Sequence, residues 1–309
     1  MKKLYSLVIS ILLISSIGFA QNLIAVQNGG APAFYTKLDS AITYAHNGDT
    51  LYIPGGIFPI SVSINKKLHI LGVGHNPDTT LATHYTYIYG GIGVISGGSN
   101  GSLTGVALSG GITSHPAVTN YSVYRCAFND LNLQTSSINW IFIENIIHGQ
   151  IRSMDEPGAS NCLFSNNIID GYMGGADYND WPGFTNCILS NNIFFADAIC
   201  NYGCRYPMKS NYSTFENNIF LGIGYNTKLT GSSNFSTYNN KLFVTSWEPP
   251  APSFAANNLV SQPANSIFIN QSGSSFSYSQ DYHLQSTCPG KNAGTDGTDI
   301  GIYGGAYPW

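Results

Sequence analysis

Ser165-Asn166-Asn167-Ile168-Ile169 is one of six related stretches that decide the fold of this 309-residue chain. The other five are Ile143-Glu144-Asn145-Ile146-Ile147, Ser190-Asn191-Asn192-Ile193-Phe194, Glu216-Asn217-Asn218-Ile219-Phe220, Tyr238-Asn239-Asn240-Lys241-Leu242 and Ala256-Asn257-Asn258-Leu259-Val260. The third residue is always asparagine, and successive copies are 22, 25, 26, 22 and 18 residues apart. Repeats of this length are typical of one solenoid turn.

The residues that flank each third asparagine repeat as well. Ile or Leu follows it in five of the six copies. The positions three and five residues before it have the same parity, so on a strand they face the same side. The position three before is held by Phe142, Phe164, Leu189, Phe215, Thr237 and Ala255, and the position five before by Trp140, Cys162, Cys187, Ser213, Phe235 and Ser253. Each repeat therefore predicts a strand with an inward apolar face, an asparagine corner and a second apolar strand.

The corner has a specific physical explanation. Asparagine tolerates the left-handed backbone conformation that a sharp bend requires. If turns stack ~4.8 Å apart, equivalent asparagine side chains can bond to their neighbours above and below. A helical solenoid would need apolar residues every three or four positions, and a β-sandwich would not repeat asparagine at one position. The sequence predicts an all-β fold, a single-stranded right-handed parallel β-helix of about ten coils.

The first twenty residues have the pattern of a secretory signal peptide. Lys2 and Lys3 precede the apolar run Leu4–Ile17, and Ala20 ends a stretch of small residues. The run is shorter than the ~20 residues that a membrane span needs. We expect cleavage after Ala20, a mature β-helix domain over 21–309, and a secreted location, extracellular or periplasmic.

Composition excludes several classes of protein. Only 9% of the residues are charged and 13% are aromatic, which is the opposite of a disordered chain. The pI of about 5.9 lacks the basic excess of a nucleic-acid-binding protein. We therefore expect a monomeric protein with no nucleic-acid partner and no membrane span.

Both ends of a solenoid need covering. At the N-terminal end, residues 34–48 predict a capping helix, because Leu38, Ala41, Ile42 and Ala45 share one face. Thr36 suits the N-cap of that helix and Asp39 its third position. At the other end, we expect residues 281–309 to form a closing segment.

Export also permits disulfides among the six cysteines. Cys200 and Cys204 are close enough in sequence to close a small ring, and the pattern leaves their state open. Cys162 and Cys187 occupy equivalent positions in adjacent turns, where a disulfide has the right reach. Two reduced, buried thiols are the favoured interpretation, because free cysteine behaves as a small apolar residue.

Two segments carry a family resemblance. The stretch Gly48-Asp49-Thr50-Leu51-Tyr52-Ile53-Pro54-Gly55-Gly56, after a capping helix, is similar to the opening of pectate-lyase-like right-handed β-helix proteins. The last 29 residues, from Asp281 to Trp309, resemble the end of secreted β-helix proteins of Bacteroidetes. With the asparagines, the resemblance covers most of residues 34–309. It implies the fold more than the activity, since this fold includes lyases, hydrolases, adhesins and scaffolds.

The connections over 148–161, 170–186 and 196–212 form one rim if the turns stack. The rim concentrates charge in a charge-poor chain, including Arg152 and Asp170, although exposed loops are commonly charged for solubility alone. It also contains aromatic residues able to stack on sugar rings: Tyr172, Tyr178, Trp181, Tyr202 and Tyr206. The seven histidines are scattered without metal-ligand spacing, which favours surface or core roles.

Two functions remain as alternatives. The first is a non-catalytic protein that binds carbohydrate or contributes to a cell-surface structure, with a glycan as partner and no required cofactor. The second is a Ca²⁺-dependent polysaccharide lyase, because Arg205-Tyr206-Pro207 resembles part of a pectate-lyase motif. In that case Arg205 or Lys209 would be the catalytic base, and Asp155, Glu156, Asp177 and Asp180 would bind Ca²⁺.

Overall fold

The computed structural model describes residues 22–76, 84–154, 158–171, 173, 183–195, 210–221, 237–239, 242–243, 254–259, 261–271 and 275–309. The described chain is mostly β and winds into a solenoid of parallel sheets, which confirms the predicted fold class. Within these ranges, no helix has the length and apolar character needed to cross a membrane.

The largest sheet, sheet 1, has 12 strands, of which ten are parallel. The middle residue of each parallel strand pairs with the middle residue of the next, as Phe142 does with Phe164. In the first eight of these strands, from Leu51 to Phe215, the middle residues point inward, and the rings of Phe142 and Phe164 stack 4.8 Å apart. The parallel strands are Thr50–Tyr52, His69–Leu71, Ser102–Thr104, Ser122–Tyr124, Ile141–Ile143, Leu163–Ser165, Ile188–Ser190, Thr214–Glu216, Thr237–Asn239 and Phe254–Ala256.

Two further sheets form the other walls of the solenoid. Sheet 2 has nine strands: Gly56–Pro59, Thr86–Tyr89, Ala107–Leu108, Ala127–Phe128, Ile146–Ile147, Ile168–Ile169, Ile193–Phe194, Ile219–Phe220 and Leu242–Phe243. Sheet 3 has four: Ile92–Val94, Ile112–Ser114, Leu131–Leu133 and Ile151–Ser153. A short parallel sheet of three strands precedes sheet 1 in the later turns: Ala159–Ser160, Phe184–Thr185 and Ser210–Asn211.

The number of turns differs slightly from the prediction. About 6 turns are counted in the solenoid, compared with about ten predicted coils. The difference lies in the third wall, which single β-bridges extend to Ile64 at one end and Met173 at the other. Sheets 1 and 2 both continue beyond Met173, to the strands Phe254–Ala256 and Leu242–Phe243.

The asparagine ladder is present between sheets 1 and 2. Asn145, Asn167, Asn192 and Asn218 are fully buried and stacked. Nδ2 of Asn145 donates to Oδ1 of Asn167 (3.0 Å) and to the Val123 carbonyl (2.9 Å). The Asn145 backbone N–H donates to the same Oδ1 (2.9 Å). The contacts repeat between the later asparagines, so the ladder satisfies polar groups that are shielded from water.

The left-handed corner belongs to the residue before the ladder asparagine. Asn166, Asn191 and Asn217 have φ of 56°, 57° and 53°. Glu144 has the same conformation at 57°, which explains why that turn lacks the first asparagine of the pair without losing the bend. The two residues of each pair thus have separate roles: one bends the chain and the other forms the ladder.

A second row of asparagines was missed by the sequence analysis. Asn100, Asn120, Asn139, Asn161 and Asn186 all have positive φ and precede the inward residue of sheet 1 by three positions. In this exposed row, Nδ2 of Asn120 donates to Oδ1 of Asn100 (3.1 Å), and Nδ2 of Asn139 donates to Oδ1 of Asn120 (2.9 Å). The spacing was visible in the sequence, but the row has no doubled asparagine to mark it.

The N-terminal end is covered by a helix and a hairpin. Helix α1 spans Leu38–Tyr44 and buries the predicted face. The strand Ile24–Gln27 pairs antiparallel with Thr50–Tyr52 of sheet 1, and Ala33–Tyr35 pairs antiparallel with Ile24–Gln27. The predicted capping by Thr36 is wrong. The N-cap residue is Lys37, without a side-chain cap, and the Asp39 carboxylate instead accepts the backbone N–H of Ser61 (2.9 Å).

The C-terminal segment, residues 264–309, runs along the outside of sheet 2. It begins with the 3₁₀ turn Ala264–Ser266, followed by the antiparallel strands Phe268–Asn270 and Asp281–Leu284. Successive side chains of a strand point to opposite faces, so in Ile168–Ile169 one residue points inward and the other outward. Both are apolar, so the outward residue needs a cover too. The segment buries the outward residues Ile146, Ile168, Ile193 and Ile219 under Ile267, Tyr282, Leu284, Cys288, Ile300 and Ile302.

Candidate functional site

The residues predicted to carry chemistry lie outside the described part of the chain. They are the candidate bases Arg205 and Lys209, the candidate sugar-stacking residues Tyr172, Tyr178, Trp181, Tyr202 and Tyr206, and the candidate Ca²⁺ ligands Asp155, Glu156, Asp177 and Asp180. The Cys200–Cys204 pair lies outside it as well. These assignments stay predictions.

Among the described residues of the predicted rim, three are His, Arg, Lys, Asp or Glu: His148, Arg152 and Asp170. His148 and Asp170 each follow a strand of sheet 2, at the turn into sheet 3. Arg152 is the central residue of a sheet 3 strand. These three residues therefore lie on or beside sheet 3, and the described residues of its outer face form the candidate site.

The outer face of sheet 3 is an in-register polar row. Thr113 pairs with Gly93 on one side and with Asn132 on the other, and Asn132 pairs with Arg152. Their neighbours Ile112, Leu131 and Ile151 point into the core and are fully or almost fully buried. Since side chains alternate along a strand, the four central residues face outward in a single file.

Tight turns lead into this face from sheet 2. A Cβ on Gly111 would lie 2.4 Å from the Asp130 carbonyl oxygen, and a Cβ on Gly171 would lie 1.8 Å from the Gly149 carbonyl oxygen. Only glycine permits so close a stacking of the turns. The Asp130 carboxylate also accepts the backbone N–H of Gln150 (2.7 Å), which fixes the turn after His148.

Two acceptors beside this row have no hydrogen-bond partner within the described ranges. They are Oδ1 of Asn132 and Oε1 of Gln150, and both atoms are shielded from bulk solvent. A shielded acceptor without a partner is costly unless water or a ligand supplies a donor. These amides are thus suited to accept hydrogen bonds from hydroxyl groups.

A histidine and a carboxylate form a pair at the edge of the same face. Nδ1 of His148 lies 3.3 Å from Oδ2 of Asp170. The Asp170 side chain is 11% exposed and the His148 side chain 38% exposed, so the carboxylate holds one ring nitrogen while the imidazole reaches solvent. Sequence reasoning gave His148 no role, because the two residues are 22 positions apart and become neighbours only when the turns stack.

No metal centre is visible in the part of the chain that the structure covers. Among those residues, no three His, Cys, Asp or Glu side chains lie close enough to hold an ion. Cys162 and Cys187 are free and buried, in agreement with the reduced interpretation. A hydrogen bond from the Cys162 thiol to Cys187, together with burial, raises the pKa of Cys162, and burial raises the pKa of Cys126 to about 12. Cys126 and Cys162 are thus inert core residues.

No protein-family model matches the chain, and no curated protein is significantly similar to it. The class that the structure defines is therefore that of parallel β-solenoids, with a polar row on the outer face of sheet 3.

Proposed function

We propose that the protein is exported, belongs with the pectate-lyase-like β-helix proteins and binds a polysaccharide without cleaving it. The signal-peptide pattern over residues 1–20 supports export, and the Gly48–Gly56 stretch supports the family. In this proposal the glycan lies on the outer face of sheet 3.

The polar row of sheet 3 carries this proposal. Stacked strands repeat every ~4.8 Å, so the row offers polar groups at regular intervals to an extended chain lying along the solenoid axis. In the proposal, the amides of Asn132 and Gln150 rotate on binding, so that their shielded, unpartnered acceptors meet the hydroxyl donors of a sugar. Thr113 and Arg152 add further polar groups in register with them.

The predicted rim extends the site beyond the described residues. In the proposal, Tyr172, Tyr178, Trp181, Tyr202 and Tyr206 supply rings that stack on sugars. Tyr172 lies next to Met173, which forms a β-bridge with Ile151 of sheet 3. Binding of this kind requires no cofactor, and a single chain is sufficient for it.

Ca²⁺-dependent β-elimination is the second candidate. The resemblance of Arg205-Tyr206-Pro207 to a lyase motif favours it, because that reaction needs a base next to bound Ca²⁺. Here Arg205 or Lys209 would take a sugar proton, and Asp155, Glu156, Asp177 and Asp180 would hold the ion.

A glycan array probed with the 21–309 chain tests both candidates. We expect Asn132→Ala combined with Gln150→Ala to weaken binding at least tenfold, about 1.4 kcal/mol, because two hydrogen bonds are lost. Thr104→Ala, on the outer face of sheet 1, is the matched control and should bind like the unchanged chain. The same glycans are then incubated with and without Ca²⁺, and unsaturated sugar products are measured by their absorbance.

The outcomes separate the candidates. Binding without products supports the proposed function. Ca²⁺-dependent products that disappear in Arg205→Ala or Lys209→Ala support the lyase instead. Equal binding by the double variant and the unchanged chain contradicts the site on sheet 3, and binding to no glycan contradicts both candidates.

A further inference from the structure

The C-terminal segment has a hydrophobic cluster of its own. Ile169 and Phe194 belong to the interior core of the solenoid, whereas Ile168 and Ile193, one residue earlier, belong to a second cluster with the segment. The strands Phe268–Asn270 and Asp281–Leu284 pair only with each other among the described strands. The segment is therefore a layer added to the solenoid, and no β-ladder joins the two among the described residues.

Corner asparagines of the solenoid form hydrogen bonds with the last part of this layer, between Thr295 and Gly304. Nδ2 of Asn166 donates to the carbonyls of Ile302 (3.0 Å) and Gly304 (2.7 Å). Asn217 exchanges two hydrogen bonds with Thr295, both of 3.0 Å. The contacts run backwards along the solenoid as the chain proceeds, from the Asn217 turn to the Asn166 turn.

The hairpin at the other end of the layer contacts two histidines of the solenoid, His75 and His148. Nδ1 of His75 is hydrogen-bonded to the hydroxyl of Tyr278 at 2.7 Å, across 203 residues of sequence. The ring of Phe276 lies 6.3 Å from that of His148, between centroids. No backbone pairing accompanies these contacts within the described residues. The hairpin is held there by side chains: the two histidine contacts and apolar packing, such as that of Tyr282 on Phe195 (5.7 Å between ring centroids).

The surroundings of His75 disfavour a positive charge. Burial, and then the neighbouring His148, lower the pKa of His75 to about 4. The other titratable groups around these contacts are Tyr278, Tyr85, Tyr282 and Asp170, and Asp170 is already engaged with His148. Burial also raises the pKa of Tyr278, so that its hydroxyl stays neutral and offers no charge to stabilise a protonated imidazole.

We propose that the hairpin end of the C-terminal segment is an acid-sensitive clasp, which docks on neutral His75 and is released from sheet 2 when His75 is protonated. Release exposes part of the outward isoleucine row of sheet 2, an apolar surface able to bind other apolar surfaces. The solenoid itself keeps its interior core and its asparagine ladder. The clasp is independent of glycan binding.

Proton linkage gives the direction in which pH changes the docking of the hairpin. A released, solvated histidine has a pKa of about 6.5, above that of docked His75. Docking is thus favoured above about pH 6.5, and this contribution is lost as the pH falls toward about 4. The equilibrium constant for release should rise about 20-fold between pH 7 and pH 5.

Amide exchange of the full mature chain, corrected for the intrinsic effect of pH, measures this release. We expect peptides from 264–285 to lose protection between pH 7 and pH 5, while peptides from 121–147 keep theirs. His75→Gln keeps a hydrogen-bonding side chain without the titration, so its clasp should stay docked at pH 5. His115→Gln, at a partly buried histidine of the solenoid, is the matched control and should respond like the unchanged chain.

A second variant tests the proposal independently if His75→Gln fails to fold. Tyr278→Phe removes the partner of His75 and leaves the imidazole, so release should be easier at pH 7 and still increase with acid. Equal loss of protection in both sets of peptides would overturn the proposal, because the whole fold would then be opening. An unchanged acid response in His75→Gln would overturn it too.

Discussion

The interior of the solenoid and the seam between sheet 2 and the C-terminal segment are built from the same four-residue repeat. In Asn166-Asn167-Ile168-Ile169, Asn167 and Ile169 face the interior, while Asn166 and Ile168 face the segment. Interior contacts join turns 22 to 26 residues apart, whereas the seam contacts of Asn166 span 136 and 138 residues. Adjacent, chemically identical residues thus stabilise two layers that assemble over very different lengths of chain.

The largest effect is expected at the interior asparagine. Asn167→Ala removes two donors and a shared acceptor, so the Phe142 carbonyl and two groups of Asn145 lose their partners in a fully buried site. We expect a loss of about 3 to 5 kcal/mol in the free energy of unfolding, measured by urea denaturation.

An exposed asparagine provides the comparison for that variant. Asn139→Gly keeps the positive φ and removes only a hydrogen bond at the surface, so it should cost no more than about 1 kcal/mol. If both variants lost the same stability, burial of the amide would not be what makes the interior ladder important.

The adjacent isoleucines Ile168 and Ile169 allow the same comparison of interior and seam, with a smaller expected loss of stability. Ile169→Ala leaves a cavity in the interior and should lower the stability of the whole fold by about 2 to 4 kcal/mol. Ile168→Ala leaves a cavity at the seam, which we expect to be nearer 2 kcal/mol and to raise amide exchange mainly in residues 280–305. A uniform rise in exchange for Ile168→Ala would mean that seam and interior unfold as one unit.

The interior could be predicted from sequence because every turn repeats it. Asparagine at one position in six copies, with Phe142, Phe164, Leu189 and Phe215 three residues earlier, left few alternatives to a parallel β-helix. The seam could not be predicted in the same way, because its partners in the C-terminal segment do not repeat. The doubled isoleucines were a usable signal, since two adjacent apolar residues on a strand require cover on both faces.

The candidate site lies between these extremes. The charge concentration over 148–161 and 170–186 includes Arg152 and Asp170, which lie on or beside sheet 3, and their role in a site stays a prediction. Asn132 and Gln150 were missed because single polar residues in short strands carry no motif. A usable pattern was the alternation within single strands. Leu131-Asn132-Leu133 and Ile151-Arg152-Ser153 each place an outward polar residue between two inward residues.

An effect smaller than that of the interior asparagine is expected at the seam asparagine next to Asn167. Asn166→Gly keeps the left-handed corner, since glycine adopts a φ of 56° freely, but removes the hydrogen bonds to Ile302 and Gly304. We expect a loss of about 1 to 2 kcal/mol, confined to the docking of the C-terminal segment and visible as faster exchange around Ile302. Asn166→Ala should cost about 1 kcal/mol more, because alanine is strained at positive φ. Equal stability of the two variants would show that the backbone at this corner relaxes, and that the seam, unlike the interior ladder, does not depend on its geometry.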